Sequence, residues 1–140
     1  MFFKRMPILL ALALALGLAG AASAASAPGH ASLLIRHQLH GCHAWSVNGG
    51  PFKASQSITL RRGGWLTVTD NDVMSHKLVL TSGPALRITN ATLKHMGASV
   101  KVTLTKPGVY HFTTKPGEDY MSGVKTIGED NVLRLTVHVS

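Results

Sequence analysis

Residues 133–139 read Leu-Arg-Leu-Thr-Val-His-Val, with an apolar side chain at every second position. In an extended chain successive side chains point to opposite faces, so this run has one apolar face and one wet face. The period recurs at Val100, Val102 and Leu104 against Lys101 and Thr103, and at Ile58 and Leu60 against Ser57, Thr59 and Arg61. It is two, not the 3.6 of a helix. Glycine and proline punctuate the runs at Gly49-Gly50-Pro51, Gly63-Gly64, Gly83-Pro84, Pro107-Gly108 and Pro116-Gly117. Short strands at regular spacing with such turns predict an all-β sandwich. The pattern predicts about seven strands, over 33–40, 57–61, 65–70, 76–81, 99–105, 109–114 and 132–139. Residues 90–96 read as a short helical turn or a loop. No internal repeat is present.

The N-terminus follows a different logic. Lys4 and Arg5 precede an apolar run over 8–18, which is short for a bilayer span. Ala22-Ser23-Ala24 and Ala25-Ser26-Ala27 both fit small-x-small cleavage. Residues 1–24 therefore read as a secretory signal peptide, 25–31 as a linker and 32–140 as one domain. The alternative is an uncleaved membrane anchor. An exported, periplasmic or secreted protein is expected, with no integral membrane segment after processing. About 115 residues remain, enough to bury a core without disulfides. Loss of Lys4 and Arg5 lowers the formal charge from +8 to +6. The basic residues are scattered singly apart from Arg61-Arg62, and none interleaves with aromatics as a nucleic-acid face requires. Nucleic acid is therefore not an expected partner.

The chain holds one cysteine, and three of its eight histidines surround it in His37-Gln38-Leu39-His40-Gly41-Cys42-His43-Ala44-Trp45. A lone exported cysteine has no disulfide partner within the chain. It is either a small buried hydrophobe or a ligand, and an exposed thiol in an oxidising compartment is a liability. Thiolate and imidazole together suit copper and zinc.

Two further stretches resemble the cupredoxin family. One is Gly64-Trp65-Leu66-Thr67-Val68-Thr69-Asp70-Asn71-Asp72 followed by Ser75-His76-Lys77-Leu78-Val79-Leu80. It is similar to the family's strand, Asn/Asp-rich loop and ligand histidine at the start of the next strand. The other is Pro107-Gly108-Val109-Tyr110-His111-Phe112, similar to the Gly-x-Tyr-x-Phe run before the family's copper-ligand loop. The resemblance implies a Greek-key, cupredoxin-like sandwich with copper as cofactor. It also has a departure: Thr114 stands where the family has its ligand cysteine, and Gly117 about where it has the following histidine. Met121 stands near the family's axial methionine, within a long segment over 115–131. In the family's topology the loop after the first strand lies beside the ligand histidine. On that mapping Cys42 is expected to supply the missing thiolate from the other side of the site, a relocated ligand that the family's own pattern does not contain.

The expected metal ligands are Cys42, His43, His76 and Met121, with His40 and Glu118 as secondary candidates. His76 shares the inward alternation of Leu78 and Leu80, as either a core histidine or a ligand. His43 is favoured over His40 because it adjoins Cys42. Met96 competes with Met121 as a thioether, and Met74 is weaker. His30, His95, His111 and His138 read as surface residues, and Trp45 and Trp65 as packing. The six acids, Asp70, Asp72, Glu118, Asp119, Glu129 and Asp130, are expected in loops at the metal-bearing end. There they would favour the approach of a cation and orient the molecule on a partner.

A mononuclear copper site with a relocated cysteine and one-electron transfer to a redox partner is the expected function. Copper capture or delivery to an exchange partner is the first alternative. A metal-free cupredoxin-like interaction module is the second. An enzyme is not expected, because no nucleophile–base pair or phosphate loop stands at useful spacing.

Overall fold

The computed structural model describes residues 25–38, 43–119 and 132–140, with side chains except those of 116–119. Nine strands follow in order: β1 (His30–His37), β2 (His43–Val47), β3 (Ser55–Leu60), β4 (Gly64–Asn71), β5 (Met74–Ser82), β6 (Thr92–Leu93), β7 (Ser99–Leu104), β8 (Gly108–Asp119) and β9 (Arg134–Val139). They form two sheets, β2-β1-β4-β7 and β3-β9-β8-β5-β6. The pairs β1–β4 and β3–β9 are parallel and the others antiparallel. The expected all-β sandwich is the fold, with nine strands rather than about seven.

The core lies between the sheets. Leu33 and Ile35 of β1, Leu66 and Val68 of β4, and Val100, Val102 and Leu104 of β7 face Leu78, Tyr110, Phe112, Leu135 and Val137 of the other sheet. Each inward residue alternates with an exposed or half-buried one. Burying a side chain of this size stabilises by about 1.5–3 kcal/mol, so the alternation itself supplies the drive for the two layers to close.

Three departures from the sequence reading bear on the site. First, β2 has no alternation, because His43, Ala44, Trp45 and Ser46 are all buried. It forms a hairpin with β1, opposing His37 to His43, and bridges Trp45 to Lys53 on its other side. Asn48 and Gly49, both with positive φ, turn the chain after it. Second, β6 replaces the predicted turn or loop, pairs with His76 and Lys77, and buries Leu93 against the start of β5. Third, β8 runs five residues past its expected end and reaches Asp119, opposite Met74. The linker expected over 25–31 is also shorter. β1 begins at His30, and the carbonyls of Pro28 and Gly29 accept hydrogen bonds from Arg61 and Trp65.

Register brings five strand ends together. β1 and β4 run parallel and finish side by side, with Arg36 opposite Asn71. β2 and β5 start there, and β8 ends there.

Candidate metal centre

At that end the inward row of β4 continues from Leu66 and Val68 to Asp70, so a strand built for apolar contacts finishes on a carboxylate. The chain then turns through Asp72 into β5. Asp70 Oδ1 accepts from the Asp72 N–H at 2.9 Å, and Asp72 Oδ1 accepts from the Met74 N–H at 3.2 Å. Such side chain–backbone bonds are why Asp-rich segments make tight turns. A register shift between Met74 and His76 marks a bulge, a device that re-aims side chains beside functional sites. His76 lands on the inward face, in line with Leu78, and is fully buried.

Asp72 is 1% exposed and is the hub of the cluster. Its Oδ2 lies 2.8 Å from His43 Nδ1 and 2.8 Å from His76 Nε2. Its Oδ1 lies 3.2 Å from His37 Nδ1, close enough for charge attraction but not aligned as a hydrogen bond. The His43 and His76 rings are perpendicular, with centroids 4.8 Å apart. His76 Nδ1 lies 3.1 Å from Thr114 Oγ1. An ionised carboxylate only accepts, so His43 Nδ1 and His76 Nε2 carry the hydrogens. The Thr114 hydroxyl then donates to His76 Nδ1.

The two buried acids are driven in opposite directions. Burial pushes the Asp72 carboxyl up, but the hydrogen bonds from His43, His76 and the Met74 N–H outweigh it. The net effect holds the group well below the ordinary carboxylate range. For Asp70, burial dominates and raises it to about 6, against lowering by the Asp72 N–H and the nearby histidines. Asp70 Oδ2 has no hydrogen-bond partner among the described residues.

Of the ligands predicted from sequence, His43 and His76 are brought together, on Asp72. Cys42, His40 and Met121 lie outside the described residues, as does the Glu118 side chain. His30, His95, His111 and His138 are exposed, as expected. Trp45 packs fully buried in the core. Two members of the cluster were missed: His37 and Asp72. His37 had a signal, since it continues the inward alternation of Leu33 and Ile35. Asp72 was expected in an exposed acidic loop, yet it and Asp70 are buried beneath it.

The residues fit a metal ion. His37, His43 and Asp72 each offer a ligand atom within 4.8 Å of the others. Both ring nitrogens of His37 and Nε2 of His43 are buried without a hydrogen-bond partner among the described residues. Buried polar atoms are ordinarily paired, so these are donors or acceptors that a ligand could complete. Imidazoles with a carboxylate suit zinc and copper(II).

Fold and cluster together define an all-β two-sheet protein in which three histidines face one buried carboxylate. No family model and no curated protein matches the chain. Among solved structures it is similar to a purple cupredoxin from Nitrosopumilus maritimus, at 16% identity and TM-score 0.46, over 79% of this chain and 99% of that one. It is also similar to part of a heme-copper terminal oxidase dimer, at 19% identity and TM-score 0.43, covering 64% of that chain. A copper-containing nitrite reductase from Thermus scotoductus matches at 18% identity and TM-score 0.41, over 28% of that chain. At such identities and scores no ligand set, cofactor or activity is carried over from any of them.

Proposed function

We propose that the protein is an exported copper-binding, cupredoxin-like protein that carries single electrons at one mononuclear site. His43 and His76 supply the imidazoles, Cys42 the thiolate and Met121 a weaker fourth ligand. The observation that carries this reading is the meeting of His43 and His76, far apart in sequence, around one buried carboxylate. Cys42 is the chain neighbour of His43. Thr114, at the position where the resemblance expects the family's cysteine, touches His76 with a hydroxyl, a poor soft ligand. A thiolate from elsewhere is what that position leaves to be supplied. Copper held by thiolate and two imidazoles with a weak axial group shuttles one electron without a substrate pocket. Burial of both histidines favours a resident ion over one exchanged at an open face, and so favours electron transfer over copper delivery. A redox protein is the proposed partner, and no reaction on a substrate is proposed.

Copper(II) titration with visible and paramagnetic spectra tests this. An intense thiolate-to-copper band is expected in the parent, and Cys42→Ser is expected to abolish it with the fold intact. An unchanged spectrum in Cys42→Ser rules out the thiolate ligand. Copper(I) binding without the band favours delivery, and the lack of stoichiometric binding favours an interaction module.

Export is proposed on the strength of the N-terminal charge, short apolar run and cleavage patterns. Among the described residues no helix is long and apolar enough to cross a membrane. Mass spectrometry of the exported product is expected to find a new N-terminus after Ala24 or Ala27. Intact Met1 in the membrane fraction would contradict it.

A further inference from the structure

Three imidazoles from β1, β2 and β5 face a single carboxylate, at 3.2, 2.8 and 2.8 Å. Hydrogen bonding accounts for only two of them. His37 is brought against Asp72 without an aligned bond, and neither of its ring nitrogens finds another partner among the described residues. Burying a polar ring in that state is unfavourable, so the convergence calls for a reason beyond packing. Shared coordination is one. Two donor atoms each about 2.0–2.1 Å from a tetrahedral ion stand roughly 3.4 Å apart. The His37–Asp72 separation of 3.2 Å is already close to that, and the ligand atoms of His37, His43 and Asp72 all lie within 4.8 Å of one another.

We propose that His37, His43 and Asp72 bind one divalent cation of the zinc or copper(II) class through two imidazoles and a carboxylate, without a thiolate, while His76 holds the Asp72 carboxylate in place. It goes beyond the copper reading: it shares His43 with that site and puts His37 and Asp72 in place of Cys42. His43 keeps its Nδ1 hydrogen on Asp72 and offers Nε2, which has no partner among the described residues, to the ion. His76 keeps its Nε2 hydrogen on Asp72 and accepts from Thr114 Oγ1 at Nδ1, 3.1 Å away, so Thr114 holds that ring in place.

The test uses the protein recovered after export, zinc in a competition titration, and cobalt(II) as a coloured stand-in for zinc. Cys42→Ser is expected to bind zinc as the parent does, and cobalt in both is expected to show ligand-field bands without a thiolate charge-transfer band. Removing an outer-shell partner costs about 10–100-fold in affinity. Asp72→Asn is therefore expected to lose more than roughly a hundredfold, as a ligand would. Should that variant not fold, His37→Ala carries the same expectation. Zinc affinity lost with Cys42→Ser, a thiolate band in the cobalt spectrum, or smaller losses in the Asp72 and His37 variants would each overturn the proposal. Zinc binding lost with the thiol leaves the copper–thiolate reading standing. Zinc binding retained where copper gives no thiolate band sinks that reading and supports this one.

Discussion

His76→Ala is expected to weaken copper binding by more than about a hundredfold, while His138→Ala leaves it unchanged. His76 is fully buried, with one ring nitrogen on Asp72 and the other facing Thr114. Its removal deletes a ligand and also takes away one of the hydrogen bonds that hold the Asp72 charge inside the protein. A loss of about 2–4 kcal/mol in the stability of the metal-free protein should accompany it, from the cavity and the hydrogen bond lost by the buried carboxylate. His138 lies on the wet face of β9 and touches none of this. Competitive copper titration of both variants, beside thermal melts, is the measurement. Equal copper affinity for His76→Ala and parent would remove His76 from the site and unseat the topology argument with it.

The second large effect is a stability profile shaped by two neighbouring acids of opposite character. Asp72 is held below its unfolded value, so its stabilisation is present above about pH 4 and is lost as pH falls further. Asp70 is raised from 3.8 to about 6. For a raised acid, stabilisation is fully present below the unfolded value and is lost as pH rises through the folded one. Ionised Asp70 therefore costs the folded state about 3 kcal/mol at neutral pH. In chelator-treated protein, Asp70→Asn is expected to be more stable than the parent at pH 8 by about 1–2 kcal/mol, part of the gain going to burial of the amide. The decline in parental stability between about pH 4 and pH 6 should vanish in that variant. Asp72→Asn should instead be less stable at pH 8 and lose the acid limb of the profile. Denaturant unfolding across this range measures both. An Asp70→Asn variant no more stable than the parent at pH 8 would mean that a partner satisfies the ionised Asp70 carboxylate in the folded protein.

The sandwich was legible where one face of a strand meets the core and the other meets water. β7 and β9 carry that alternation and were placed within a residue or two. β2 was not, because burial of His43, Ala44, Trp45 and Ser46 together erases the period that marks a strand. β6 is held by two residue pairs to β5, a contact made by tertiary position rather than local pattern. The site divides in the same way. His76 was legible because it stands on an inward row, and His43 because it adjoins the lone cysteine. Asp72 was hidden by its neighbours: Asp70-Asn71-Asp72 reads as an exposed polar turn. Whether such a carboxylate is buried depends on the imidazoles that come to meet it. Those come from β1 and β2, some thirty residues earlier in the chain, and from the bulge at the start of β5. The acidic end expected on the surface is, for these two residues, an interior one: Asp72 bonds His43 and His76, and Asp70 bonds the Asp72 N–H.

The central claim is that His43 and His76 share one metal ion at the end of the sandwich. Anomalous diffraction from a copper-loaded crystal tests it most directly. One peak is expected, about 2.0–2.2 Å from a ring nitrogen of each histidine. Copper found only on exposed histidines such as His111 or His138, with His43 and His76 still bonded to Asp72 alone, would contradict it.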